Sequence, residues 1–195
     1  MNLTLLTPPA IEPFTVDEAK ALARTAIDSG EHDALVARLI TVARQQVEAD
    51  TGRAIGLQTW CGSQAYWPRS RYLTLPVCPL VSVERFTYRT SAGVQTLDLA
   101  GCSVQPQPHH YGQIALAAGG RWPADVLLYP GLTVDFTCGY QTIPPPLKEA
   151  IGALLTYWYD NPEAAIASTA YKAEVGVLPL RYHELIAPFK LWGRR

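Results

Sequence analysis

A strand that leads directly into an amphipathic helix, over residues 132–158, constrains the fold more than any other stretch. In residues 132–138 (LTVDFTC), apolar side chains alternate with polar ones, which predicts a half-buried strand. Prolines at 144–146 cannot continue a strand ladder but suit the first turn of a helix. An apolar stripe then predicts a helix over 147–160, which Asn161-Pro162 ends. We expect its inward face to organise the core through Leu147, Ile151, Leu154, Leu155 and Trp158.

Three shorter signals predict further helices on either side of the chain's middle. Residues 1–14 carry three prolines and are expected to be extended. Thr15 and Glu18 form a capping-box pattern, which predicts a helix over about 16–26. Asp33 is expected to cap a longer helix over 34–51, and Gly52 suits the position after its end. Pro179 predicts the start of a short last helix over about 179–188.

The segment 53–140 has the two-residue period of strands. Strands are predicted at 55–60, 72–77, 81–88, 94–99 and 114–116, with a bulge near Glu84 and a hairpin turn at 91–93. Residues 121–131 are predicted to be a loop with some strand. The chain is therefore predicted to be α+β: a helical bundle of two N-terminal helices, one long helix near 147–160 and a short C-terminal helix, with an inserted antiparallel β-rich segment. Residues 1–52 and 141–195 are expected to form the helical core and its tail, with 53–140 packed on it in a single compact unit.

Composition limits the function classes without choosing one. The 195 residues can bury a proper core, and only 17% of them are charged. Five Trp and ten Tyr fit either a surface buried by partners or a monomer with a large aromatic core. A net charge of -1 does not indicate the excess of basic residues that is typical of nucleic-acid-binding proteins. The acidic residues concentrate in 1–52 and the basic ones in 180–195, which suits head-to-tail contacts between copies.

The cellular context is indicated by what the sequence lacks. No window approaches the roughly 18 continuous apolar residues of a membrane span, and the N-terminus has no secretory signal pattern. The cysteines are Cys61, Cys78, Cys102 and Cys138, with no CxxC pair. They could form two disulfides, but reduced thiols in an intracellular chain are the favoured interpretation.

No catalytic, cofactor or metal site is predicted, and the chain is not expected to be an enzyme. The hydrolase elbow, the dinucleotide fingerprint, the phosphate-binding loop and the zinc-protease motif are all missing. His109 and His110 are adjacent, so on a strand they would point to opposite faces and rarely share one metal. Asp135 is expected on an exposed strand face, with no second carboxylate placed near it.

The C-terminal tail is the most suggestive candidate for an interface. So short a terminus cannot bury its two aromatic side chains by itself, so it must dock on its own domain or on another subunit, unless it is disordered. Docking to a partner is favoured, because Trp and Arg are typical of interface hot spots. The predicted interface residues are Phe189, Lys190, Leu191, Trp192, Arg194 and Arg195.

Five stretches, in this order and spacing, resemble one known family. They are FTVDEAKALAR, LVARLITVARQQVEADTGRAIGLQTW, LPVCPLVSVERFTYR, VDFTCGYQTIPPPLKEAIGALLTYWYDNPEA and LPLRYHELIAPFKLW. The chain resembles the head–tail connector (head-completion adaptor) proteins of tailed bacteriophages, in the phage conserved type with a β-rich insertion; related adaptors occur in prophages and gene transfer agents. The resemblance covers about 14–192. The segment 53–131 is larger than in the minimal all-helical adaptors, so the partner of this insertion is left open.

The resemblance implies a structural role in the virion. Such adaptors form a ring of about a dozen copies below the portal protein, extend the DNA channel and present a surface to the next connector, a stopper or tail protein. Double-stranded DNA would pass without sequence-specific binding, no membrane is involved, and assembly would occur in the host cytoplasm. The family's C-terminal segment commonly engages the portal, which matches the tail here. The alternatives are a stopper or tail-terminator protein, or a small ligand-binding or enzymatic α+β domain.

Overall fold

A computed structural model describes residues 1–23, 30–105, 111–123, 131–161 and 180–191. These residues contain four α-helices and eight strands in two antiparallel sheets, which confirms the predicted α+β class. The chain divides into two compact units. The strand unit comprises 1–10 and 52–141, and the helical unit comprises 11–51 and the described residues from 142 onward.

The helical unit contains α1 (Val16–Leu22), α2 (Asp33–Thr51), α3 (Pro145–Asp160) and α4 (Leu180–Ile186). The predicted capping box of α1 is confirmed: the Glu18 amide donates to Thr15 Oγ1 at 3.2 Å, and the Thr15 amide donates to Glu18 Oε2 at 2.9 Å. The proline start of α3 is also confirmed, because Pro144 is its N-cap residue. Asp33 is not the cap that the sequence predicted, because a 3₁₀ turn over Gly30–His32 precedes it and makes it the first helical residue.

The core of the helical unit forms where α3 packs against α2 and α4. The five side chains expected to organise this core have exposed fractions of 2% or less. From α2, the apolar residues at helical spacing are buried with them, and they are Val36, Leu39, Ile40, Ala43 and Val47. Spacing of three and four residues thus places one continuous apolar stripe on each helix, and the two stripes bury each other.

The strand unit contains two antiparallel sheets. Its strands are β1 (Asn2–Thr7), β2 (Gln58–Gln64), β3 (Tyr72–Leu75), β4 (Leu80–Thr90), β5 (Gly93–Thr96), β6 (Cys102–Gln105), β7 (Gly112–Leu116) and β8 (Leu132–Cys138). The larger sheet has the order β1-β2-β8-β4-β5, and the smaller has the order β3-β7-β6. Side chains from both sheets, including Phe86, Phe136, Leu75 and Ile114, share one buried apolar cluster.

Several strand predictions are confirmed and others are corrected. The register of β4 against β8 shifts between Val83 and Arg85, which is the predicted bulge at Glu84, and 91–93 joins β4 to β5. The strand predicted at 55–60 instead begins at Gln58, because Gly56 has a positive φ of 80° and turns the chain before it. Strands β1 and β6 were not predicted. In the loop predicted at 121–131, residues 124–130 lie outside the described residues.

The first ten residues join the strand unit, whereas the sequence placed them with the helices. Residues of β1 pair antiparallel with β2, from Asn2 opposite Ser63 to Leu5 opposite Trp60. The extended conformation predicted for this stretch thus takes the form of a paired strand over Asn2–Thr7, which ends directly before Pro8 and Pro9. That the strand-rich insertion packs on the helical core as a single compact unit stays a prediction.

The position of Asp135 corrects a second expectation. It was predicted on an exposed face, but only 9% of the residue is exposed. Strand β8 is central in the larger sheet, so β2 and β4 flank Asp135 on both sides. Arg85 covers it from β4, donating from Nε at 3.0 Å and from Nη2 at 2.7 Å to Oδ2. Alternation correctly assigned Asp135 to the polar face, but it does not show how many strands lie on either side.

Candidate partner interface

The base of the predicted interface is fixed to the helical unit. A 3₁₀ turn over Ala187–Phe189 follows α4, and the Lys190 amide donates to the Ala187 carbonyl at 3.3 Å. The Leu191 amide then donates to the carbonyl of Thr51, the last residue of α2, at 3.2 Å. Phe189 and Leu191 are half-buried, whereas Lys190 is exposed. Trp192, Arg194 and Arg195 lie outside the described residues.

Helix α4 is held to α2 by a buried tyrosine. Tyr182 is fully buried, and its hydroxyl donates to Asp50 Oδ2 at 2.5 Å. Burial, reinforced by the hydrogen bond to this carboxylate and by its charge, raises the pKa of Tyr182 well above its usual value. The tyrosine therefore stays a neutral donor over the whole physiological range. Together with the Leu191 contact, it gives the tail a defined point of departure beside the end of α2.

A groove of about 450 Å³ lies within the helical unit and was not predicted from the sequence. Phe14, Leu22 and Leu185 supply its apolar walls, and Gly152 lies on its floor. A Cβ at Gly152 would lie 3.4 Å from the Phe14 ring and 3.5 Å from Leu22, which is ordinary van der Waals contact, so both side chains pack directly against this position of the helix. The glycine inside an otherwise regular helix pattern was the only sequence signal of this feature.

The strand unit presents a partly exposed aromatic surface. The rings of Trp67 and Trp122 stack with centroids 4.7 Å apart, and Trp67 also contacts Phe86 and Tyr88. The Trp122 Nε1 donates to the Ser70 carbonyl at 2.9 Å, which fixes the loop between β2 and β3. Part of the high aromatic content thus packs at the edge of the core, which is the alternative to partner burial that composition left open.

The described residues include side chains of the metal-ligating and thiol types. No group of three or more His, Cys, Asp or Glu side chains in this part of the chain could hold a metal ion. His109 and His110 lie outside the described residues. The four cysteines are not joined in disulfides, and burial raises the pKa of the Cys78 thiol, which disfavours a reactive thiolate. No helix in the described ranges has the length and apolar character that crossing a membrane requires.

Solved structures with a similar fold come from gene transfer agent (GTA) particles. A chain in the neck of an empty GTA particle, computed with C6 symmetry, is 22% identical over all of both chains, with a TM-score of 0.78. A chain in the virion of a native GTA particle is 20% identical, with a TM-score of 0.76, over 98% of this chain and 96% of that one. A chain in the neck of a native GTA particle, computed with C12 symmetry, is 19% identical, with a TM-score of 0.70, over 98% of this chain and 100% of that one.

The chain has the fold of these neck chains. The resemblance to connector proteins that the sequence carried is thereby confirmed at the level of fold, over the whole chain. No protein-family model matches the chain, and no curated protein matches it. The neck fold therefore includes both units, the β-rich insertion as well as the helices, since the alignment leaves no part of either chain uncovered.

Sequence reasoning also missed a set of exposed aliphatic side chains at the edges of the larger sheet. Leu5 and Leu6 on β1 are 41% and 52% exposed, and Val81 on β4 is 43% exposed. The signal was present in residues 2–7 (NLTLLT), which alternate partly and carry no charge. The segment was predicted to be extended, but no strand partner was assigned to it.

Proposed function

We propose that this chain is a non-enzymatic structural protein of a virion, a head–tail adaptor that forms a ring below the portal. The observation that carries the proposal is the full-length match in fold to chains of a GTA neck. A neck chain works by being held between partners, so it needs fixed surfaces rather than a reactive site. The described residues fit that requirement, because the apolar stripes of the helices are fully buried against one another and position their outer surfaces.

The proposed partners are the portal protein, neighbouring copies in a ring of about a dozen, and a downstream stopper or tail protein. The neck structures of similar fold were computed with C6 and C12 symmetry, which supports a ring with that order of copies. The ring would extend the DNA channel, and double-stranded DNA would pass it without sequence-specific contacts. A net charge of -1 agrees with this, because a dense set of Lys and Arg would bind phosphates and hold the DNA. The protein would assemble in the host cytoplasm and reside at the head–tail interface.

We assign portal binding to the tail, through Phe189, Lys190, Leu191, Trp192, Arg194 and Arg195. The fixed contact between Leu191 and Thr51 sets where the tail leaves the helical unit. Beyond it the sequence Trp-Gly-Arg-Arg offers one large aromatic ring and two guanidinium groups in four residues. That combination suits an aromatic pocket with an acidic rim on a partner.

Two truncations test this assignment. Removing residues 192–195 leaves the Leu191 contact intact, so the helical unit should melt at an unchanged temperature while binding to portal-bearing heads is lost. Removing 189–195 also deletes the Leu191 contact, and it should lose binding with a small loss of stability. Trp192→Ala should weaken binding by at least about tenfold, as expected for a hot-spot aromatic. Normal attachment by the shorter truncation would contradict the role given to the tail, and binding to tails but not heads would favour a stopper or tail-terminator protein.

A further inference from the structure

Strand β1 forms one edge of the larger sheet. Within the described residues, no strand pairs with its outer side. Edge strands normally avoid pairing with other chains by being very short, or by carrying charges, prolines or bulges. β1 has six residues and no charge, and Asn2–Leu5 pair with β2 in an unbroken register, which shifts only between Leu5 and Thr7. With Leu5 and Leu6 exposed, it is suited to accept a strand from another molecule.

A second free edge lies at the other end of the same sheet. Strand β5 pairs only with Thr87–Thr90 of β4. Over residues 81–85, no strand in the described part of the chain lies on the outer side of β4. The register of this segment against β8 shifts twice, between Leu80 and Ser82 and between Val83 and Arg85, so its regular part is Ser82–Val83. Val81 is 43% exposed there, and Ser82 and Glu84 are also exposed. The sheet thus has two free edges of similar length, and each carries an exposed aliphatic side chain.

The directions of the strands make these two edges compatible. β1 is antiparallel to β2, β2 to β8, and β8 to β4, so β1 and β4 run in opposite directions. If a second copy in the same orientation is placed beside the first, its β1 meets β4 as an antiparallel neighbour. Antiparallel pairing is slightly the more stable arrangement and would continue the existing sheet without reversing it.

The faces of the sheet also match across such a contact. Leu5, Trp60, Phe136 and Val83 lie opposite one another in one row across four strands. Trp60, Phe136 and Val83 pack into the core on this face of the sheet, and Leu5 continues the row at the exposed edge. The next row, on the polar face, consists of Thr4, Cys61, Asp135 and Arg85. Joining β4 of one copy to β1 of the next therefore places an apolar row against an apolar row, and a polar row against a polar row.

We propose that β1 of one copy pairs with residues 81–85 of β4 in the next copy, so that the larger sheet continues from subunit to subunit. The two edges are different surfaces, so the contact is heterologous, and a heterologous contact closes into a ring when its rotation allows. The inference rests on the proposed function, because the ring supplies the neighbouring copy. The competing occupant of the β1 edge is a second β1, which would give a two-fold dimer.

Disulfide cross-linking within assembled particles tests the contact. Particles are produced with the double variant Leu5→Cys/Val83→Cys, with each single variant and with the unchanged protein as a control for the four native cysteines. After mild oxidation and sedimentation, the double variant should give a ladder of dimers, trimers and higher oligomers on a non-reducing gel, and the others should not. Cysteines can be bridged only when their Cα atoms lie within about 7 Å, so the ladder reports close pairing.

Each result has one meaning. A ladder from the double variant alone supports the β1–β4 contact. If the double variant binds to the particles but gives no ladder, the proposed contact is wrong and the adaptor function still stands. If Leu5→Cys alone gives a dimer, the contact is also wrong, because this result indicates β1–β1 pairing. Protein missing from particles that otherwise carry their portal overturns both.

A charge placed on the edge provides a second measurement. Leu6→Lys should reduce the number of copies per particle by at least about tenfold, because it places a charge on the pairing edge. Val94→Lys is the matched control, since Val94 is 61% exposed on β5, which has no role in the contact. Circular dichroism checks that both variants fold. Equal copy numbers for the two variants would contradict the proposal.

Discussion

At the scale of single residues, Tyr182 gives the most direct test of how α4 is held. Tyr182→Phe removes the hydroxyl that donates to Asp50 and leaves the buried ring in place. Because a hydrogen bond to a charged acceptor is stronger than a neutral one, we expect the free energy of unfolding to fall by about 1 to 2 kcal/mol. Urea denaturation at pH 8 measures this, and a change below a few tenths would show that the bond is not formed in solution.

The stability that the Tyr182 hydroxyl contributes should depend on pH, because the pKa of Tyr182 is raised in the folded protein. In the unfolded chain tyrosine loses its proton near pH 10, whereas in the folded chain it does so at higher pH. Its contribution is therefore fully present below about pH 10 and is lost as the pH rises further, because the unfolded state releases its proton first. The difference in stability between the unchanged protein and Tyr182→Phe should be smaller at pH 11 than at pH 8.

The ion pair between Arg85 and Asp135 should respond unequally to the loss of either partner. The Arg85 side chain is 66% exposed and that of Asp135 only 12%, so the arginine can return to water but the carboxylate cannot. Arg85→Gln should destabilise the fold by about 1 to 2 kcal/mol, and Asp135→Asn by less than about 1 kcal/mol. Thermal melting of both variants in the same buffer shows which substitution destabilises the fold more. A larger loss for Asp135→Asn than for Arg85→Gln would contradict the burial described for Asp135.

Sequence patterns predicted the local position of such residues but not the side chains that surround them in the fold. Alternation placed Asp135 on the polar face, and the capping pair of Thr15 and Glu18 was read correctly because both partners lie within one turn. The Tyr182–Asp50 bond joins residues 132 positions apart. Contacts at that separation depend on how helices and strands pack, which periodicity alone does not encode.

At the scale of elements, the cap of α1 has a simple test. Thr15→Ala removes the hydroxyl that accepts from the Glu18 amide, and we expect a loss of about 1 kcal/mol in the free energy of unfolding. Thr15→Ser keeps the hydroxyl and is the matched control, with a change of a few tenths at most. Chemical denaturation distinguishes the two. Equal losses would show that the methyl group of Thr15, rather than its hydroxyl, stabilises the helix start.

The junction that leaves β8 depends on a glycine. Gly139 has a φ of 120°, and a Cβ there would overlap the carbonyl oxygen of Gly56. Gly139→Ala should therefore cost more than about 3 kcal/mol or prevent folding, since it combines backbone strain with a collision against main chain. Gly119→Ala is the control: its φ is 81° but no atom lies within 4 Å of the added Cβ, so only the strain of about 1 kcal/mol applies. Soluble yield and melting temperature are measured for both variants. Similar values for Gly139→Ala and Gly119→Ala would rule out the close approach between position 139 and the Gly56 carbonyl.

Elements with a strong local signal were predicted, and those defined by their partners were not. Helix α3 combines a proline start with a full apolar stripe, so its position followed from residues 144–158 alone. β1 has only six residues and is a strand because β2 lies beside it. The bulge of β4 at Glu84 was predictable because the apolar positions change face there. The groove at Gly152 was not, since it forms only when α1, α3 and α4 meet.

At the scale of the whole molecule, both units belong to one neck fold, and the account depends on that fold acting in a ring. The helical unit supplies a fixed base for the tail through Tyr182 and Leu191. The strand unit supplies two sheet edges that differ from each other and that no strand of the described residues covers. Under the proposed function, the tail binds the portal and the edges bind neighbouring copies, so a defect in one contact can be separated from a defect in the other.

The central claim, that the chain docks as a ring below the portal, is tested most directly by adding it to heads that lack it. Heads are packaged without this protein, incubated with the purified chain, sedimented and imaged at the portal vertex by electron microscopy. The account predicts co-sedimentation and a new ring of density beneath the portal, and no ring with the chain that ends at residue 191. Heads that stay bare at saturating protein would contradict the adaptor function.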